Sequence, residues 1–105
     1  MHRYLILMVL ALSVLASVAQ EASRHSYGPP NGFVPNEATA IRIAVAIWEP
    51  IYGKEAIAKQ APYVAKLESK AWIVKGTLPP HALGGVAIAE ISKDDARIIR
   101  VSHGR

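Results

Sequence analysis

Asn36-Glu37-Ala38-Thr39-Ala40-Ile41-Arg42-Ile43-Ala44-Val45-Ala46-Ile47-Trp48-Glu49-Pro50 is the stretch whose pattern decides the fold. Asn36 is a strong N-cap, because its side-chain oxygen can accept an otherwise unpaired N–H of the first turn. Glu37 follows, where the helix dipole favours an anion. No glycine or proline interrupts Glu37 to Glu49, and Pro50, which has no N–H for the last turn, predicts an end or a kink near Glu49. Thr39, Arg42 and Glu49 fall near one side. Ile41, Ala44, Val45 and Trp48 form the opposite stripe, widened by Ile43, Ala46 and Ile47. So wide an apolar surface predicts a helix largely enclosed by a sheet. Gly53 then reverses the chain, and Lys54 to Gln60 adds a short second helical turn.

Beyond Pro62 the period changes from 3.6 to two. Tyr63, Ala65 and Leu67 alternate with Val64, Lys66 and Glu68, which predicts a half-exposed strand. Ser69-Lys70 is a tight connection to Ala71–Leu78, where Trp72, Val74 and Leu78 share a face. A loop, Pro79-Pro80-His81-Ala82-Leu83-Gly84, leads to a third strand over Val86–Ile91. Its small Gly85, Ala87 and Ala89 lie on one face and would let a helix approach closely. Ser92-Lys93-Asp94-Asp95-Ala96 is turn chemistry, and Arg97 to Ser102 returns as a fourth strand. One helix followed by four strands in short succession predicts an α+β fold, a long helix laid across a four-stranded antiparallel meander. The lengths agree, since about 13 helical residues span about 20 Å and strands of about seven span about 23 Å. Ile41, Ala44, Trp48, Trp72, Val74 and Ile88 are expected in the core.

Upstream, residues 1–19 have the form of a secretory signal peptide. His2 and Arg3 are a short basic start, Tyr4 to Leu15 is apolar, and Ser17 and Ala19 are the small residues read before cleavage. The apolar run is shorter than the roughly 20 residues a membrane-spanning helix needs. Export to the periplasm or beyond the cell is the expectation, with no membrane span after cleavage. Residues 20–31, polar and ending in Gly28-Pro29-Pro30-Asn31, read as a flexible leader, and residues 32–105 as one domain. The whole chain has 105 residues and a formal net charge of +4. Without residues 1–19 it has 11 cations against 8 acids, 11 − 8 = +3. The cations are spread evenly, with no basic patch interleaved with aromatics, so nucleic acid is not an expected partner. Cysteine is absent, which excludes disulfides, thiol nucleophiles and thiolate metal sites.

The groups that could do chemistry do not converge. His25 lies in the leader, His81 in the proline loop and His103 at the end of the last strand. Ser102 and His103 are adjacent on a strand and so point to opposite faces. Asp94 and Asp95 are a turn pair. Gly84-Gly85 lacks the spacing of a phosphate loop, and Gly76 marks a bulge or a close backbone approach. Trp48 and Trp72 sit at periodic positions that belong to a core. No catalytic set, metal site or cofactor is implied.

A resemblance adds to this. Val34-Pro35-Asn36-Glu37-Ala38-Thr39-Ala40-Ile41 and Trp48-Glu49-Pro50-Ile51-Tyr52-Gly53 are followed by Trp72-Ile73-Val74-Lys75-Gly76-Thr77-Leu78-Pro79. Gly84-Gly85-Val86-Ala87-Ile88-Ala89-Glu90-Ile91-Ser92-Lys93-Asp94 and Ile98-Ile99-Arg100-Val101-Ser102-His103-Gly104 complete the series. In this order the chain resembles the immunity-protein family with a nuclear transport factor 2-like fold, over about residues 32–105. The resemblance implies a non-enzymatic protein that binds and neutralises a cognate toxin. Members of the broader superfold carry three helices before the sheet. This chain has room for one long and one short, which brings it nearer to a cystatin-like helix on a sheet. Two other functions are compatible with such a fold. One is a small pocket-bearing enzyme, for which Glu90 with Tyr52 is the only available acid/base pair. The other is an envelope module that modulates a peptidase, of cystatin-like or PepSY-like type.

A protein partner needs a surface, and one loop is unusually stiff for a meander. Leu78-Pro79-Pro80-His81-Ala82-Leu83 carries two prolines, which reduce the entropy lost on binding. Leu78, Pro80, His81 and Leu83 are therefore the expected partner contacts, apolar with one pH-sensitive group.

Overall fold

The computed structural model describes residues 26–104. The expected signal peptide over residues 1–19, the first part of the leader and His25 lie outside the described residues. A helix α1 (Glu37–Tyr52) and a short helix α2 (Lys54–Ala58) precede four strands, β1 (Val64–Glu68), β2 (Ala71–Lys75), β3 (Val86–Ser92) and β4 (Ile98–Gly104). The strands form one antiparallel sheet in the order β1-β2-β3-β4. Helix α1 lies across β1, β2 and β3. This is the helix-on-meander that the sequence predicts, although at 16 residues α1 is an ordinary helix in length. No helix among the described residues is long and apolar enough to cross a membrane.

The helix begins as its sequence dictates. Asn36 is extended, and its Oδ1 accepts from both the backbone N–H and the hydroxyl of Thr39, each at 2.9 Å. It does not end at Glu49. Pro50 lies inside the last turn, and the helix continues to Tyr52. The bond that Pro50 cannot make would have gone to the carbonyl of Ala46, an exposed residue whose oxygen water can satisfy. Gly53, with φ of 95°, ends the helix by donating its N–H to Glu49 O at 2.9 Å.

The buried seam of α1 is Ala40, Ala44 and Trp48, spaced four residues apart, with Ile41, Ile43, Val45 and Tyr52 packed at its sides. Beneath it the sheet offers Ala65, Trp72, Val74, Ala87, Ala89 and Ile91. Ala40 and Ala44 of the helix and Ala87 and Ala89 of β3 are all buried in this core. Ile88 is a correction. It sits one residue out of phase with Ala87 and Ala89, on the face that α1 does not cover, and is only half buried. Ile41 is likewise half buried, beside the seam.

The turns are held by residues that tolerate left-handed backbone. Ser69 and Lys70 both have positive φ, 47° and 65°, which matches the twist of a two-residue hairpin. The N-terminal segment closes the molecule from the far side. Phe33 N–H and Val34 N–H donate to Asp94 O and Lys93 O, both at 3.0 Å, and buried Trp72 donates its indole N–H to Val34 O at 2.8 Å.

In the β3–β4 turn the Arg97 backbone N–H donates to Asp95 Oδ1 at 3.0 Å. That bond, with help from the Ser92 hydroxyl and the Arg97 guanidinium, holds the Asp95 carboxyl below its ordinary value. A carboxylate lowered in this way adds stability above its unfolded pKa and loses it as pH falls through the folded one. The turn should therefore loosen only below about pH 4. Asp95→Asn should show at pH 7 the reduced protection factor of the Arg97 amide (exchange rate corrected for the intrinsic rate at that pH) that the unaltered chain shows only in acid. Equal protection in the two at pH 7 would refute this.

Candidate functional site

The sheet positions the β2–β3 connection at one end of the molecule. Strand β2 stops at Lys75, earlier than the alternation predicts, so Leu78 does not share an inner face with Trp72 and Val74. After Gly76, whose N–H still reaches Ala87 O at 3.0 Å, the chain is diverted by Gln60. Thr77 N–H donates to Gln60 O at 2.7 Å, and the Gln60 side-chain Oε1 accepts from Ala87 N–H at 2.8 Å. A Cβ on Gly76 would overlap the Gln60 side chain, so this glycine marks a close approach.

From Leu78 the loop leaves the sheet and turns once, with Ala82 N–H donating to Pro79 O at 3.1 Å and His81 at φ of 65°. Pro80 and His81 are exposed, Leu78 is 41% exposed and Leu83 is 97% exposed. Leu83 does not fold back over the sheet end. With Leu78, Ala82, Val86 and Gly104 it borders an open cleft of about 460 Å³.

A second cleft, about 360 Å³, adjoins the first at Gly85 and is lined by Tyr52, Ala56, Gln60, Ala87 and His103. Helix α1 covers β1 to β3, and at its end Tyr52 reaches the inner face of β4. The Tyr52 hydroxyl lies 3.3 Å from His103 Nδ1, and the two rings meet edge to face at 84°. These residues are 51 positions apart, and no local spacing in the sequence announces them. Only the register Ala87↔His103 turns His103 toward the helix.

Glu90 is elsewhere. It pairs with Ile73 and Arg100 in the register and faces away from α1, on the open side of the sheet. Tyr52 and Glu90 thus occupy opposite faces and cannot act as an acid/base pair. The open side is a groove of about 420 Å³ that holds Lys66, Lys75, Arg100, Glu68 and Glu90 around Ile73 and Ile88. Trp48 and Trp72 are core residues. The other described histidine, His81, stands on the loop, and among the described residues no three acidic or histidine side chains gather to hold a metal.

Fold and clefts define a small helix-on-sheet protein that exposes Leu78 and Leu83 on the β2–β3 loop and Tyr27, Phe33, Ile51, Val64, Leu67 and Ile99 elsewhere. Residues 39–105 match the model of the NTF2 fold immunity protein family, and the chain belongs to that family. It is 36% identical over 73 residues to the "Uncharacterized protein YhhH" of Escherichia coli strain K12, a match that covers 69% of this chain and 58% of that protein. The chain thus spans less than two thirds of that relative's length. No solved structure matches the chain significantly.

Proposed function

We propose that this protein is exported and neutralises a cognate toxin outside the cytoplasm, by binding it and without catalysis, through the loop Leu78–Leu83. Membership of an immunity-protein family supports a toxin as the partner. The observation that carries the docking surface is Leu83, 97% exposed on a loop stiffened by Pro79 and Pro80. A partner that covers Leu83 and Leu78 would gain the free energy of removing their apolar surface from water. The loop needs little ordering on binding, so more of the contact energy appears as affinity. The apolar stretch ahead of Gln20 supports export.

The test is co-expression with a toxin candidate, sought first among the neighbouring genes, both proteins directed to the periplasm. Growth should be restored, toxin activity should fall linearly to stoichiometric equivalence as binding demands, and the mature chain should begin at Gln20. Replacing the loop tip with Pro80→Gly, His81→Ser and Ala82→Gly should leave the fold intact and weaken toxin binding at least tenfold, or about 1.4 kcal/mol. Unchanged affinity in a folded variant would dismiss the loop as the docking surface. Turnover of the toxin by substoichiometric protein would dismiss binding alone.

A further inference from the structure

Asn31-Gly32 is the one asparagine–glycine step in the chain. Glycine after asparagine leaves the peptide nitrogen without a neighbouring Cβ, so that nitrogen can come close to the side-chain amide carbon. Asn31 is exposed, and its backbone carbonyl accepts from Lys93 Nζ. Pro30 and Asn31 form the corner of a turn that Gly32 N–H closes by donating to Pro29 O at 3.1 Å. That bond holds the proton which the nitrogen must lose before it can act as a nucleophile. Gly32 is also packed against the Lys93 carbonyl, and the next residues, Phe33 and Val34, are bonded to the β3–β4 turn. Rotation of the Asn31–Gly32 peptide carries those residues with it, so freeing the nitrogen means lifting the whole N-terminal segment.

We propose that Asn31 is a deamidation site, protected while this segment is seated and converted chiefly to isoaspartate when it lifts. In the lifted segment the Gly32 nitrogen gives its proton to solvent base and attacks Asn31 Cγ. The new N–C bond closes a succinimide ring, and the side-chain nitrogen leaves as ammonia. Water then adds to either ring carbonyl. Opening at the side-chain carbon gives aspartate. Opening at the backbone carbonyl breaks the original Asn31–Gly32 bond and leaves the chain joined through Cγ, as isoaspartate. Lys93 favours the second course, because its ammonium already donates to that backbone carbonyl and its flexible stem can follow it. The ammonium draws electrons from the carbon under attack and then pairs with the carboxylate that forms there. Isoaspartate lengthens the backbone by one carbon next to Gly32, which has no slack beneath the Lys93 carbonyl. The converted segment cannot restore the bonds of Phe33 and Val34, and Val34 O is withdrawn from the Trp72 indole.

Incubating the whole chain at mildly alkaline pH tests this. Fragment-resolved mass spectrometry follows the exchange of NH₂ for OH, and isoaspartyl methyltransferase labelling measures the isoaspartate share. The blocked peptide acetyl-Gly-Pro-Pro-Asn-Gly-Phe-amide reports the unhindered rate. Asn31 should convert at least about tenfold more slowly in the folded chain than in the peptide. Trp72→Phe, which removes the indole bond to Val34 O, should speed conversion about fivefold. The isoaspartate share should exceed that of the peptide and fall to it in Lys93→Met. Asn36, the other asparagine, precedes Glu37 and has its Oδ1 engaged by Thr39, so it should stay intact. Converted protein, separated by its added negative charge, should show a moved Trp72 indole proton and unprotected Phe33 and Val34 amides, with the sheet amides unchanged. Equal rates in chain and peptide, or equal conversion at Asn36, would overturn the gate. No conversion in the folded chain or in Trp72→Phe, over a period that converts the chain fully in urea, would overturn the site. An isoaspartate share untouched by Lys93→Met would overturn the role of Lys93, and an unmoved indole proton the structural consequence. Should Trp72→Phe fail to fold, the comparison of chain with peptide and the Lys93→Met variant still decide.

Discussion

Trp48→Ala should lower the unfolding free energy by about 3–5 kcal/mol, the usual effect of emptying a large aromatic site. Trp48 is the largest fully buried side chain of the core and lies where the α1 seam meets the sheet. Its ring leans on Tyr63 at a centroid distance of 5.9 Å, and Tyr63 in turn donates its hydroxyl to Ile57 O at 2.8 Å. The single indole therefore ties α1, α2 and the start of β1. Small domains often hold only 5–15 kcal/mol in all, so the variant should be barely folded at ambient temperature. A second substitution separates volume from polarity. Trp48 Nε1 is buried with no acceptor among the described residues, and an unpaired buried donor itself costs about 1–3 kcal/mol. Trp48→Phe removes that donor and keeps most of the apolar surface, so its loss should be less than half that of Trp48→Ala. Urea titration of the three proteins decides between the accounts. A loss below about 1 kcal/mol for the alanine variant would contradict the packing described.

Gly32→Ala should cost about 2–3 kcal/mol, more than any other loss of a glycine hydrogen in the N-terminal segment. Gly32 has φ of 81°, and a Cβ built there would overlap the carbonyl of Lys93. The obstacle is backbone and cannot rotate away. To relieve it, the segment must move off the β3–β4 turn, which breaks the bonds from Phe33 and Val34 and withdraws Val34 O from the Trp72 indole. Gly28→Ala is the control, since nothing lies within 4 Å of a Cβ there. The Trp72 indole proton should shift and exchange faster in the Gly32 variant and be unaffected in the Gly28 variant. An indole signal unchanged in both would refute the role given to Gly32.

Much of the fold was legible because it rests on periodicity. The cap at Asn36, the switch to period two after Pro62 and the alanines of β3 each state a local preference that the packing keeps. Where the expectation and the structure part, a physical reason is visible. Pro50 was expected to end α1, but a proline in the last turn opposite an exposed carbonyl breaks only a bond that water replaces. Ile88, expected in the core, lies on the other face. Alternation tells which residues share a face, not which of two partly apolar faces the helix covers, and Ile73 and Ile88 give the open side an apolar character of its own. The alternation predicts that β2 runs on to Leu78, whereas Gln60, from a different part of the chain, takes the Thr77 N–H and the strand ends before it. The candidate site was legible only in its loop. Tyr52, Gln60 and His103 become neighbours through sheet register and the placement of α2, which are long-range facts that no short motif encodes.

The strap formed by Gly32 to Val34 also has a consequence in time. All three strand pairings join neighbours in the chain, the first across only Ser69 and Lys70, and such contacts form early and fast. The strap is different: Phe33 meets Asp94, 94 − 33 = 61 positions away. During synthesis the N-terminal segment leaves the ribosome first and has no acceptor until the last hairpin emerges. Val34 and the Trp72 indole remain unsatisfied until the chain is nearly complete. Closure is thus a late event, and the longer loop it must close adds about 0.6 kcal/mol of entropy for each doubling of length.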